Sequence, residues 1–125
     1  MRTEQLSIHK CAIELATLAT RILPDMNRAH RGLIGKDIRD AAKAVIKNIR
    51  YANESRDQAR VDYISAVLDL TESIVVDFRI AFELRLINRG IWSESIQLTG
   101  SLEKQAGGWR KASKNAPDAV GSRLQ

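Results

Sequence analysis

Five cations, Lys36, Arg39, Lys43, Lys47 and Arg50, recur at steps of three and four residues. At about 100° per residue they fall within an arc roughly 80° wide, which is one side of a helix. The chemistry open to such a ridge is electrostatic, not covalent. Each contact with a phosphate releases counterions and adds affinity without reading a base. A plainer account stands beside it: Asp40 lies one turn from both Lys36 and Lys43, so surface ion pairs worth a few tenths of a kcal/mol explain part of the pattern. Arg28 and Arg31 precede the ridge in a connection, where they either extend it toward a phosphate or keep a loop soluble.

No other spacing in the chain assembles a reactive site. His9 and Cys11 are two residues apart, which on a helix points them about 160° away from each other and argues against a shared metal. His30 has no carboxylate or cysteine at ligand spacing and reads as a loop histidine. There is no Glu-x-x-His, no glycine-rich phosphate loop, no nucleophile elbow and no paired His/Cys arrangement. The expectation is therefore a non-enzyme with no catalytic residue, metal or cofactor. The lone Cys11 forms no intrachain disulfide, and MRTEQLSIHK lacks the layout of a signal peptide, so a cytoplasmic location is expected. Apolar runs are broken by Glu14 in the first helix and by Asp69, Glu72 and Asp77 in the third, short of the ~20 residues a membrane span needs.

The elements that must carry the ridge are helices. The chain has 125 residues, 44% of them hydrophobic and 28% charged, with two prolines and no sustained alternation of apolar and polar positions, which argues for one domain and against sheets. A first helix is expected from about Glu4 to Leu23, capped by Thr3, with Ile8, Cys11, Ala12, Leu15, Ala19 and Ile22 buried and Pro24 ending it. After a turn-rich connection, the ridge helix runs from about Leu33 to Asn53 and buries Ile34, Ile38, Ala41, Val45, Ile49 and Ala52. Asn53 ends it and Ser55 or Asp57 caps the next. The third helix, about Asp57 to Asn88, is broadly apolar, with Val61, Ile64, Val67, Leu68, Val75, Phe78, Ala81 and Phe82. Its remaining face, Asp62, Asp69, Glu72, Arg79 and Glu83, is net acidic and meets solvent or the basic surface of a second copy, solvent being favoured; Arg79 pairs with Glu83 one turn away. Asn88, Arg89 and Gly90 close that helix, Ser93 caps the fourth, and Gly100, Gly107 and Gly108 weaken it. The expected fold is all-α, an antiparallel up-down-up-down four-helix bundle over residues 1–111, with 112–125 a disordered basic tail.

Charge is distributed unevenly. Residues 21–60 carry a net +5 and residues 104–125 a net +4, whereas residues 61–103 carry −4 and residues 1–20 cancel, for a total of +5. The molecule is electrically two-faced, which favours an anionic partner on one side and a self-complementary contact on the other.

The segment RAHRGLIGKDIRDAAKAVIKNIRYANES, followed by IVVDFRIAFELRLINRG and QAGGWRK, resembles a known family. These are the four-helix bundle proteins that include the accessory variability determinant (Avd) proteins of diversity-generating retroelements and relatives encoded within ribosomal RNA intervening sequences. The resemblance spans about Ile13 to Lys111, and its most specific pieces are Gly35-Lys36-Asp37-Ile38-Arg39, Ala52-Asn53-Glu54, Arg79-Ile80-Ala81 and Gly107-Gly108-Trp109. It departs at Gly32 and Leu33, where relatives more often place an aromatic, and in its glycine-bearing fourth helix. The resemblance implies a bacterial or phage-encoded homo-oligomer, typically a homopentamer. It also implies binding to RNA or DNA and to the retroelement's reverse transcriptase during mutagenic retrohoming. Carried onto this chain, its basic surface falls on Lys36, Arg39, Lys43, Lys47 and Arg50, with Arg28 and Arg31 as lesser candidates. The alternative is an oligomeric bundle that recognises another protein through its third and fourth helices, with Phe82 and Trp109 as anchors and the ridge left in solvent.

Overall fold

Hydrophobic residues at helical spacing build four long helices. The computed structural model describes residues 3–115, and side chains from Ser7 onward. Helix α1 spans Thr3–Arg21, α2 Lys36–Glu54, α3 Asp57–Glu83 and α4 Arg89–Asn115. Helix α1 packs on α2 and α4, and α3 packs on the same two, so the helices form a closed square. Neighbours are antiparallel: Tyr51 meets Tyr63 at one end of the α2–α3 seam, and Asp37 faces Asp77 at the other. The architecture is the expected all-α four-helix bundle.

The interior is apolar and mainly aliphatic. Leu15, Leu18, Ile38, Val45, Ile49, Ile64, Val67, Ile74, Phe78 and Leu102 are each 0–1% exposed and join one cluster with contributions from all four helices. Burying a side chain of this size contributes roughly 1.5–3 kcal/mol, which is why amphipathic helices of modest intrinsic stability hold together here. The polar exceptions satisfy themselves locally. Thr71 donates to the Val67 carbonyl at 2.7 Å, and Thr99 donates to that of Ser95 at 2.7 Å.

Several helix boundaries depart from the expected ones. The connection before α2 is itself helical. Residues Leu23–Asp25 form a 3₁₀ turn, the Asn27 side chain accepts from the His30 N–H at 3.0 Å, and the chain winds through Arg28–His30 and a π-turn at Arg31–Gly35 straight into α2. Gly35 is closely packed here: a Cβ would stand 2.6 Å from Leu23 Cδ2 and 2.9 Å from Met26 Sδ, so these two side chains would have to shift to admit one. Between α2 and α3, the position before α3 is Arg56, whose side chain makes no capping bond, and Arg60 Nε instead donates to the Ala52 carbonyl at 3.0 Å.

Helix α3 stops at Glu83, well before Asn88. Arg85 takes the left-handed conformation (φ 60°), its N–H donates to the Phe82 carbonyl at 2.9 Å, and the Leu86 N–H reaches Ala81 at 2.8 Å. This is the closing pattern that glycine normally supplies. Gly90 and Ser93 lie inside α4, and Asn88 caps that helix by accepting from the Ile91 N–H at 2.8 Å. Finally, α4 runs unbroken through Gly100, Gly107 and Gly108 and continues past Lys111 to Asn115. The rest of the expected tail, 116–125, lies outside the described residues, as does the side chain of the expected Thr3 cap.

Candidate nucleic-acid interface

Helix α2 buries a narrow stripe, Ile38, Ala42, Val45, Ile49 and Ala52. Ile34 and Ala41, expected in that stripe, are only half-buried at its edges. The narrowness leaves the opposite face free for charge. Lys36, Lys43, Lys47 and Arg50 are exposed along it, and Arg39 is half-buried at its margin. At 1.5 Å per residue the row from Lys36 to Arg50 is about 21 Å long.

Three ion pairs form among the described residues: Arg21–Glu94 at 2.8 Å, Arg39–Asp40 at 3.2 Å and Arg79–Glu83 at 2.8 Å. The Arg79–Glu83 pair is the one expected. Asp40 engages neither Lys36 nor Lys43 but the adjacent Arg39, whose Nε also lies 3.3 Å from the same oxygen. Arg39 is therefore partly neutralised, while the other four ridge cations pair with no carboxylate among the described residues. The ridge is bounded. Exposed Glu54 stands one turn beyond Arg50, and Asp37 and Asp77 flank the start of α2 on its α3 side. Burial, and then the nearby Asp37 charge, push the Asp77 carboxyl above its ordinary value.

Arg28 and Arg31 sit on the helical lead-in rather than a loose loop, and both are exposed. Arg31 directs Nη2 to the Met26 carbonyl at 3.1 Å, so it also ties the lead-in together. His30 pairs its Nδ1 with Asn27 Oδ1 at 2.8 Å. Cys11 is buried, with Sγ 3.4 Å from the Leu98 carbonyl. Burial raises its thiol pKa, against a smaller opposing hydrogen bond from Ser101, and Glu14 adds to the rise. Among the described residues no three His, Cys, Asp or Glu side chains cluster closely enough to hold a metal ion, and no helix is long and apolar enough to cross a membrane.

One feature of the ridge escaped the sequence reading. Its far end carries aromatic rings: Tyr51 and Tyr63 are 5.4 Å apart, and the Arg50 guanidinium lies over Tyr51 at 5.4 Å. An arginine over a tyrosine beside a row of exposed cations is an arrangement on which an unpaired base could stack. The Arg50-Tyr51 adjacency is visible in the sequence, but Tyr63 joins it only through the α2–α3 hairpin.

No protein-family model matches the chain, and no curated protein matches it. Among solved structures, the fold is similar to a protein of unknown function from the S23 ribosomal protein family of Bacteroides thetaiotaomicron, with a TM-score of 0.80 and 13% sequence identity over 87% of this chain and 99% of that one. At that identity the likeness establishes the four-helix architecture.

Proposed function

We propose that this protein is a non-catalytic, homo-oligomeric nucleic-acid-binding accessory factor that holds a phosphate backbone along α2. In the setting implied by its resemblance to the Avd proteins, it assists a reverse transcriptase of a diversity-generating retroelement, either in presenting template RNA or in receiving the DNA copy. The observation that carries the reading is the row Lys36, Lys43, Lys47 and Arg50, exposed on one rigid helix and unpaired with carboxylates among the described residues. Contacts of this kind supply affinity that is steep in salt and weakly selective for sequence.

The test is charge reversal at Lys43→Glu and Lys47→Glu, two exposed positions. Circular dichroism should be unchanged, and affinity for a single-stranded RNA, read by fluorescence polarisation at moderate salt, should fall at least tenfold. The slope of log affinity against log salt should flatten by about 1.4, at about 0.7 per lost single-strand contact. Unchanged affinity would leave the competing reading, a protein-interaction bundle whose ridge is solvated.

A further inference from the structure

Two arginines among the described residues lie over aromatic rings, and their settings differ. Arg79 stands 5.6 Å from Trp92 and is spent on Glu83, which it meets at 2.8 Å. That Trp92 ring stacks on Phe82 with centroids 4.4 Å apart, beside an apolar groove between α3 and α4 lined by Val75, Val76, Ile80 and Ile96. Arg50 stands 5.4 Å from Tyr51, is exposed, and meets no carboxylate among the described residues. Packing and ion pairing account for the first pair but leave the second with an open guanidinium. Tyr51 is half-buried and braced by Tyr63 of α3, 5.4 Å away and tilted by 52°, so the α2–α3 seam holds the plane over which Arg50 lies.

The layer lies in line with the ridge. Lys43, Lys47 and Tyr51 follow one another at four-residue steps, each about 6 Å further along α2. A strand with phosphates on the two exposed lysines brings its next nucleotide to the rings. A guanidinium stacks through its flat face and donates N–H groups through its edge, so Arg50 takes a base without giving up a phosphate. Stacking of this kind requires a base outside its pair. In a duplex each base face is covered by its neighbours, whereas every unpaired base offers one, whatever its identity. We infer that Arg50, backed by Tyr51 and Tyr63, is a stacking site for an unpaired nucleobase, and that the ligand of α2 is single-stranded nucleic acid rather than duplex. A row of cations alone would favour the duplex, whose charge density is higher.

The site rests on the phosphate-binding role proposed above for α2 and specifies the form of nucleic acid that role serves. The test compares three RNAs of equal length by fluorescence polarisation at moderate salt: a single strand, the same strand made abasic, and the blunt duplex. The full chain should bind the base-bearing strand more tightly than the duplex, and about tenfold more tightly than the abasic strand, as the loss of one stacked base predicts. Arg50→Lys keeps the charge and removes the plane, and Tyr51→Leu keeps an apolar side chain and removes the ring. Each should lose about tenfold on the base-bearing strand alone, with duplex affinity and the slope against salt unchanged. Tyr51→Phe should bind as the wild type does. Equal affinity of the wild type for base-bearing and abasic strands, or tighter binding to the duplex, would overturn the proposal without any variant having to fold. Undiminished binding by Arg50→Lys would overturn it too, and so would a loss shared equally by the duplex, which would assign these residues to holding the α2–α3 hairpin. Binding that ignores the bases but collapses with Lys43→Glu and Lys47→Glu sinks the stacking site and leaves the phosphate ridge standing. A wild type that binds none of the three RNAs sinks both.

Discussion

Helices α2 and α3 pack against each other and present opposite outer faces. Helix α2 buries five residues in a narrow stripe, flanks them with the half-buried Ala41, Ala44, Ile46 and Tyr51, and turns Lys36, Lys43, Lys47 and Arg50 outward. Helix α3 buries seven and still leaves Val75, Val76 and Ile80 in water among carboxylates. The core demands the same thing of both, so the difference lies in what the outward positions meet. A narrow stripe frees a helix to carry charge toward a polyanion, whereas apolar residues beyond those needed for the core mean that a helix has a second contact to make.

The strongest way to break this contrast is to show that the outer apolar residues of α3 are core after all. Phe78→Ala and, on α2, Ile49→Ala should each cost roughly 2–5 kcal/mol, because both side chains are 0–1% exposed and their removal leaves a cavity. Val76→Ala and Lys43→Ala should each change the stability of the single chain by less than about 0.5 kcal/mol. Urea midpoints measured over a range of protein concentrations would keep any assembly out of the comparison. A Val76→Ala cost approaching that of Phe78→Ala would mean that the groove is structural and offers nothing to a partner.

The next effect concerns how α2 is aimed. Gly35→Ala places a methyl group within contact distance of Leu23 and Met26, and forcing extra volume into a packed site costs about 1–3 kcal/mol. The same change at Gly32, with open space around it, should be neutral or slightly stabilising. Near-equal melting temperatures for the two variants would show that the lead-in yields easily and does not hold the ridge in line.

What the sequence disclosed divides along the same two helices. The face of α2 was legible because its period is clean: Ile38, Val45, Ile49 and Ala52 are all buried, and four of the five ridge cations are exposed. Helix α3 was read less well, because an apolar arc that broad does not tell which residues face the core, and Val75, expected inside, is 37% exposed. The end of α3 misled for a different reason. Asn88-Arg89-Gly90 has the residue types of a helix stop, yet Asn88 starts the next helix and the left-handed position fell to Arg85, which has no glycine-like signature. The tyrosine pair and the groove were invisible because each is made by two helices at once.

Arg85 itself supplies a smaller test. A non-glycine residue in the left-handed region costs about 1 kcal/mol, so Arg85→Gly should stabilise the protein by up to that amount in urea unfolding. A loss instead would mean that the Arg85 side chain makes a contact worth more than the backbone strain.

The smallest expected effect lies on the seam between the two contrasted helices. Burial, and secondarily the Asp37 charge, hold the Asp77 carboxyl above its ordinary value, so the folded chain binds this proton more tightly than the unfolded chain. Linkage then sets the sign: stability is greatest with the proton bound and falls as pH rises from the unfolded value near 3.8 through the folded one. At neutral pH the folded state bears the whole penalty of a half-buried charge facing another. Asp77→Asn removes that penalty, so the variant should melt slightly above the wild type at pH 7, and its advantage should shrink as the pH is lowered toward 4. An advantage independent of pH would trace to packing rather than charge, and a variant less stable at pH 7 would mean that the carboxylate holds a favourable partner across the seam. In that event the acidic boundary of the ridge would be stabilising in its own right, and α2 and α3 would differ less in their electrostatics than their outer faces suggest.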